Sequence, residues 1–596
     1  MTVYAAPLRD MKFVIKELAG LEEVAALPDY QDLGVTDVAE AILEEAGKFA
    51  SEVLAPLNWT GDQESARLEN GQVYAPPGFA DAYKQFTEGG WNSLGAPAEF
   101  GGQGLPEILN TPTFEMWNAS NMAFALAPLL SAGATECLKH YGADEMKATY
   151  LPKMVSGEWS GTMDLTEPAA GSDLSNVKTR ATPAGDHYLL NGQKIFITWG
   201  DHDMADNIIH LVLARLPDAP EGVKGISLFL SPRFLINPDG SVGARNSGLT
   251  CISIEHKLGI HGSATCTLAY EDAIGYLVGK PNQGLMQMFT MMNEARLKVG
   301  VQGLAISDRA YQAALAYAKE RVQGYPMKGT RGGDRVTIIN HPDVRRMLMA
   351  MKSQTEAMRA LNYVIAMHMD MAGHHPDPET RKAHQSRLDL LIPITKGWCS
   401  ELGNEVTSLG VQVFGGMGFV EETGAAQHYR DARIAAIYEG TTGIQAADLA
   451  GRKLVMDKGQ AMLNLIADMH KVEEQLGKAG GDDLAAIKAG LGQGIEALNS
   501  ATQWMLATIA QDAPSVMAVS VNYLMLSGYV CGGWQMARAA LVAQQKLAAG
   551  EDPEFHEAKL ITARFYAEQI LPKATALLNA IKAGGKSTLA LAEGQF

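Results

Sequence analysis

Residues 188–198 read Tyr188-Leu189-Leu190-Asn191-Gly192-Gln193-Lys194-Ile195-Phe196-Ile197-Thr198. Two strand-like runs flank an Asn-Gly pair, the strongest short-range signal for a tight β-hairpin, so a hairpin is expected here. Working outward, strand-length segments separated by turn residues recur at 208–216, 225–230, 250–254 and 266–271. A β region is therefore expected from about 160 to 280. On both sides the period is helical. Residues 36–53, TDVAEAILEEAGKFASEV, place apolar side chains at helical spacing with Thr36 positioned to cap, and 106–141 continue in the same manner. Residues 285–323, 342–371 and 388–409 predict long helices, with a loop at 329–334. Further helices are expected at 444–476, 484–510, 515–547 and 554–583, interrupted by Gly480-Gly481 and by 550–553, with Pro572 bending the last. The fold class read from this pattern is α+β. The domains expected are a helical N-terminal domain (1–159), a central β domain (160–280), a helical bundle domain (281–455) and a helical C-terminal domain (456–596).

The chain has 596 residues, 47% hydrophobic and 19% charged, the profile of an ordinary globular protein too long for one core. Its net charge of −18 argues against a large electrostatic footprint for nucleic acid. Five cysteines, Cys137, Cys251, Cys266, Cys399 and Cys531, show no CxxC spacing. They read as small buried side chains kept reduced, with no metal site expected. The opening MTVYAAPLRDMKF carries Arg9, Asp10 and Lys12 without an apolar core, so no secretion signal is read. No run of about 18 apolar residues exists, so no membrane span is read and a cytoplasmic setting is expected.

Several stretches carry chemistry. Ile437-Tyr438-Glu439-Gly440-Thr441-Thr442-Gly443 puts a carboxylate beside glycines, just before a helix start. Such a residue can stand at a cleft wall, or it can be a plain helix-capping acid. Met163 to Asp173, MDLTEPAAGSD, offers a hydroxyl, small residues and successive N–H groups able to border a planar heterocycle. Its plain alternative is a capped Pro/Gly turn. Phe196-Ile197-Thr198 adds an aromatic plane and a hydroxyl at a strand end. Asn293 and Arg296 lie three apart on one helix face. Gln412-Val413-Phe414-Gly415-Gly416-Met417-Gly418-Phe419 has glycines that admit close backbone approach, without the GxGxxG spacing.

Taken in this order over about residues 35–455, these motifs resemble the acyl-CoA dehydrogenase family. The resemblance implies that family's fold, a helical domain, a β domain and a four-helix domain with FAD between them, here with a helical C-terminal extension. It implies α,β-dehydrogenation of an acyl-CoA thioester, with Glu439 as the base that removes the α proton. Met163, Leu165, Thr166, Gly171, Ser172, Phe196 and Thr198 would border the flavin. Arg321, Gln412, Gly415, Gly416 and Thr441 would hold the rest of the cofactor, partly from a neighbouring subunit. Ser172, Asn293, Arg296, Tyr438 and Gly440 would face the substrate. The chain departs from the family pattern at Phe196, where Trp is commoner, and at Trp199, where a small polar residue is usual. It departs again at Asn293, where Asp is frequent, at Gly443, and in the ERVQGYP run around Arg321.

The length, the opening YAAPLRDMKFVIKEL and the run EHKLGIHGSATC are similar to the long bacterial subgroup acting on 3-(methylthio)propanoyl-CoA in dimethylsulfoniopropionate demethylation. Expected partners are the acyl-CoA, an electron-transfer flavoprotein and a second copy of the chain, with no nucleic acid and no membrane. The alternatives are a general short- or medium-chain acyl-CoA dehydrogenase of β-oxidation, an acyl-CoA oxidase, and a DNA-associated homologue of the same fold.

Overall fold

The computed structural model describes residues 4–326 and 334–596, the side chain of Asn293 excepted. The loop expected at 329–334 therefore lies, Asp334 apart, outside the described residues. The chain divides into two compact units. One comprises Lys48–Leu105 and Ser120–Lys298; the other comprises Met1–Gly47, Pro106–Ala119 and Val299–Phe596. Among the described residues no helix is long and apolar enough to cross a membrane.

The first unit holds the strands. β1 (Arg67–Glu69) and β2 (Gln72–Tyr74) form a short hairpin. Asn70 and Gly71 between them both take left-handed φ, 52° and 77°. The larger sheet is built from β3 (Trp159–Asp164), β4 (Arg180–Ala184), β5 (His187–Thr198), β6 (Asn207–Arg215), β7 (Ile226–Pro232), β10 (Leu249–Ile254) and β11 (Thr265–Val278). A separate ribbon pairs β8 (Phe234–Ile236) with β9 (Val242–Arg245). The order is β10-β11-β5-β4-β6-β3, and β7 pairs with both β11 and β6. The ladders thus run in a circuit, β11-β5-β4-β6-β7 and back to β11, closed between β4 and β6 at the Arg180–Arg215 pair. β3 and β7 are buried along their whole length; β7 is largely apolar, as a strand covered on both faces requires, while β3 also buries Ser160, Thr162 and Asp164.

The hairpin expected at Asn191-Gly192 does not form. β5 runs unbroken for 12 residues, and the chain reverses instead at Gly185-Asp186 between β4 and β5. Asn191 is laddered to Arg180 on one side and to Glu271 on the other, which holds it extended. Its amide also exchanges bonds with Asp272, at 2.8 and 3.1 Å. Gly192 is needed for close approach, since a Cβ there would lie 2.8 Å from Thr179 Cα. The same dipeptide at Asn70-Gly71, within the domain expected to be helical, does make the turn. Its flanking strands are three residues each, too short to show alternation. Thr36 is likewise not a cap: the helix Val35–Phe49 begins one residue earlier, on the Gly34 carbonyl.

The helical unit is built around Pro342–His374, Pro378–Phe414, Ser520–Ala548 and the part of Gly284–Glu320 from Val299 on. Small residues set the spacing. A Cβ on Gly303 would stand 2.2 Å from Cys399 O, so these two helices touch backbone to backbone. Gly528 and Gly532, one turn apart, make a notch for the fully buried Trp398 indole; a Cβ would lie 2.2 and 2.7 Å from it. The Ser520–Ala548 helix is thereby seated on Pro378–Phe414.

Charge completes the join. Buried Arg359 donates to Glu115 at 2.6 Å, Asp308 at 3.0 Å and Asp10 at 2.6 Å, and the Tyr363 hydroxyl donates to Glu115 at 2.6 Å. Lys559, from Pro553–Phe565, bonds Glu356 at 2.7 Å and also Asp10. Burial pushes the Asp10 carboxyl up, but Lys559 and Arg359 outweigh it and hold it well below the usual carboxylate range. Burial prevails at Glu115 and Asp308, whose carboxyls sit above their ordinary values. Replacing Arg359 by Met leaves three buried acids without their shared cation. Denaturant unfolding should show a loss of about 3–5 kcal/mol. Arg346→Met, which breaks an exposed pair with Asp343, should be nearly neutral.

Candidate active site

In the β unit, β5 and β11 slip register so that Ile195 and Phe196 stand opposite Thr267 alone. This bulge puts Phe196 at φ 60°, in the left-handed region, and turns its ring out to 59% exposure. Trp199 follows at φ 50°, but it is buried, its indole donating to Ala123 O at 3.1 Å. Beside the bulge runs the segment after β3. The Ile195 N–H donates to Thr166 O at 2.9 Å, and Lys194 Nζ donates to Leu165 O at 3.0 Å. The structure therefore brings Leu165, Thr166, Phe196 and Thr198 together. Met163 is buried in β3 one residue before Asp164, while Gly171 and Ser172 are exposed in the following loop. The N–H and hydroxyl of Thr166 and the hydroxyl of Thr198 find no hydrogen-bond partner among the described residues. An outward aromatic ring edged by unpaired donors fits a planar heterocycle with a polar rim, as FAD presents.

Asp164 anchors this segment from the buried side. Tyr270 donates to it at 2.5 Å and Thr162 at 2.7 Å, and His210 Nδ1 lies 3.3 Å away. Glu167 accepts from Lys178 N, Thr179 N, Thr179 Oγ1 and Lys194 Nζ at 2.7, 3.1, 2.6 and 2.9 Å. Asp173 accepts from Ser175 N at 2.9 Å and caps a short turn. Arg296 is buried with its guanidinium 6.0 Å from the Phe289 ring centre. The Asn293 side chain lies outside the described residues.

In the helical unit Glu439 is half-buried at φ 56°, followed by Gly440 at φ 87°. A non-glycine residue in this region costs on the order of 1–2 kcal/mol, so surrounding bonds must hold it there. They do. Lys396, buried in Pro378–Phe414, donates to Ala435 O at 2.9 Å and Gly440 O at 2.6 Å. Gln445 donates to Glu439 O and Gly440 O at 3.3 and 3.4 Å. Thr441 caps the next helix, accepting from Ile444 N, and Thr442 donates to Glu401 at 2.6 Å. Tyr438 hydrogen-bonds Gln302, and burial, then the Glu439 charge, push its phenol up.

Arg321, Gln412, Gly415 and Gly416 are not part of that cluster. They stand exposed at two neighbouring helix ends, joined by the stacked rings of Tyr317 and Phe414 at 4.3 Å. Lys396 and Gln412 are 16 residues apart on one helix, about 24 Å at 1.5 Å per residue. The residues that the sequence reading missed are Lys194, Lys396, Gln445 and Gln302. A lone charge in an apolar setting, as in LLIPITKGW around Lys396, was the available signal.

Four family models match the chain. They are described as acyl-CoA dehydrogenase N-terminal domain (residues 36–158), middle domain (162–273) and C-terminal domain (282–454), and acetyl-CoA dehydrogenase C-terminal like (465–592). A 3-methylmercaptopropionyl-CoA dehydrogenase from Ruegeria pomeroyi is 49% identical over 98% of this chain and 99% of its own length. A butyryl-CoA dehydrogenase from Syntrophomonas wolfei is 35% identical over 100% and 99%. The fold is also that of an acyl-CoA dehydrogenase from Bacillus anthracis solved in complex with FAD. That structure has a TM-score of 0.73 at 23% identity and covers 91% of this chain and 88% of that one.

The Asp164 anchor makes a pH-dependent prediction. Burial pushes its carboxyl up, but His210 and the bonds from Thr162 and Tyr270 outweigh this, leaving it below its ordinary 3.8. The stability it contributes is present above that ordinary value and is lost as pH falls through the depressed folded one. Asp164→Asn should cost about 1–3 kcal/mol at neutral pH. In urea unfolding at a series of pH values, the gap to wild type should narrow below pH 3.8.

Proposed function

The chain belongs to the acyl-CoA dehydrogenase family, and on that premise we propose that it oxidises 3-(methylthio)propanoyl-CoA to 3-(methylthio)acryloyl-CoA in dimethylsulfoniopropionate demethylation. The observation that carries the chemistry is Glu439, a carboxylate on a strained turn that Lys396, Gln445 and Thr442 brace from behind. The substrate reading is supported by the 49% identity, over nearly the full length of both chains, to the Ruegeria enzyme of that name.

Glu439 would take the α proton of the thioester. The backbone N–H of the same residue would donate to the thioester carbonyl and stabilise the charge that develops there as the proton leaves. Holding Glu439 at φ 56° fixes the direction in which its side chain leaves the backbone relative to its N–H, so little is spent reorganising the backbone during reaction. Tyr438, Gly440, Ser172, Asn293 and Arg296 would line the substrate side. Met163, Leu165, Thr166, Gly171, Ser172, Phe196 and Thr198 would border FAD, with Thr441 on the same cofactor. Arg321, Gln412, Gly415 and Gly416, which stand at two helix ends outside that cluster, would serve the cofactor of a neighbouring subunit. FAD, when bound, supplies the acceptor for the hydride that leaves the β carbon.

An electron-transfer flavoprotein would then accept the electrons. A homodimer fits the way the Ser520–Ala548 helix covers the bundle at Trp398, and a cytoplasmic setting fits five buried, unbridged cysteines.

A second reading, turnover of ordinary short acyl-CoAs, is favoured by the 35% identity to a butyryl-CoA dehydrogenase. A thioether sulfur and a methylene differ little in bulk, so the two readings overlap. Butanoyl-CoA should be oxidised with kcat/KM within about 10–200-fold of the thioether substrate, the discrimination a methylene-sized difference supports. A preference for long-chain thioesters in the same panel would exclude both.

The test of the base is Glu439→Gln. Fold, FAD content and acyl-CoA binding should persist, while anaerobic bleaching of the flavin by substrate slows by at least ~10²–10⁴. Near-normal bleaching in this variant, with loss in Glu167→Gln or Glu294→Gln, would reassign the base.

A further inference from the structure

Lys194 sits in mid-strand with its side chain fully shielded from solvent. Its ammonium is held between two acceptors, Glu167 Oε1 at 2.9 Å and Leu165 O at 3.0 Å. Glu167 is spread over the backbone of 178–179 and the Thr179 hydroxyl as well, so the pair is locked into the strand edge. Burial draws the Lys194 ammonium down from its ordinary value while Glu167 works in the opposite direction.

The Leu165 carbonyl and the Thr166 N–H are the two ends of one peptide group. A cation on the oxygen pulls electron density toward it and makes the N–H at the other end a stronger donor. Thr166 is fixed in turn by the bond from Ile195 N to its own carbonyl, at 2.9 Å. Its N–H has no partner among the described residues.

We propose that Lys194 is a positioning residue that acts through the Leu165–Thr166 peptide, making the Thr166 N–H a charge-assisted donor to the polar edge of FAD and so favouring the reduced cofactor. The inference rests on Thr166 as a cofactor-edge residue, as read above. Lys194 makes and breaks no bond. Two electrons reach the cofactor with the hydride from the substrate's β carbon, and the added negative charge meets a donor already polarised. Stabilising the reduced form in this way makes the oxidised cofactor a better acceptor for the hydride of a saturated thioester. Solvent does not reach the buried ammonium.

The experiment is the midpoint potential of the purified holoenzyme without substrate, followed by the visible spectrum of the bound FAD. Lys194→Met should shift the reduced-to-oxidised ratio at a fixed applied potential at least tenfold toward oxidised, about 30 mV for a two-electron couple. Lys194→Arg, which keeps a cation there, should stay within about threefold of wild type, less than half that shift on a logarithmic scale. Glu167→Gln leaves the ammonium on the carbonyl while removing a nearby negative charge, so its FAD should be as easily reduced as wild type or more so. A Lys194→Met potential equal to wild type overturns the proposal. So does a fall in Glu167→Gln matching that of Lys194→Met, because the pair would then be a scaffold only. If Lys194→Met does not fold or hold FAD, Glu167→Gln decides alone: a potential at or above wild type supports the proposal, and any fall overturns it. A wild-type protein that binds no FAD, or whose FAD acyl-CoA does not bleach, would instead defeat the reading of the site itself.

Discussion

A buried ammonium on a backbone carbonyl recurs in both units, and in each it holds backbone beside a strained residue. Lys194 holds Leu165 O in the β unit, and Lys396 holds Gly440 O and Ala435 O in the helical unit; both side chains are wholly buried. Taking an ammonium out of water costs several kcal/mol unless it is fully bonded. The lysines are therefore useful where backbone has to be held in a shape that its own ladder or helix does not supply. Each stands behind such a shape. Lys194 lies next to the bulge that turns Phe196 to φ 60°, and Lys396 lies behind Glu439 at φ 56°. A neutral residue at position 194 would take the ammonium from Leu165 O, and one at 396 would take it from Ala435 O and leave Gly440 O only the longer bond from Gln445, so each turn would be held less firmly.

The helical unit solves a different problem, that of attaching a long C-terminal segment to a bundle. It does so by close approach at glycines and by shared charge at acids. Gly528 and Gly532 seat the Trp398 ring. Asp10 from the N-terminal helix accepts from both Arg359 of the bundle and Lys559 of the C-terminal helices, so three distant parts of the chain meet at one carboxylate. The acids around Arg359 show how finely this is balanced. Asp10, with two cations, is held low, while Glu115 and Asp308, which share the Arg359 cation, are pushed up by burial. Each ion in the network has given up its hydration, so the bonds it makes there are largely offset by that cost.

Much of this architecture can be read from local pattern. The switch from helical to strand period near residue 160, its return near 284, and the helices beyond Glu439 follow from the spacing of apolar residues, because burial on one face imposes that spacing wherever a helix or strand forms. Glu439 is legible for a related reason. The glycines around it, a following helix start and an ordered set of motifs upstream narrow what a carboxylate there can do. The supports of the site are not legible in this way. Lys396 and Gln445 carry no local signal of what they bond, because the carbonyls they reach belong to residues 435, 439 and 440, brought near only by packing.

The two Asn-Gly pairs mark the boundary. By itself the sequence determined that both can turn, since glycine and asparagine tolerate left-handed backbone. The tertiary structure decided which one does. At 70–71 the flanking strands are laddered only to each other among the described residues, and the turn forms. At 191–192 β4 and β11 arrive from either side, and the bonds they offer along an extended strand outweigh a two-residue preference. The left-handed Phe196 and Glu439 were settled in the same way, by partners distant in sequence, because a strained residue keeps its shape only when bonds from outside its own segment hold it there.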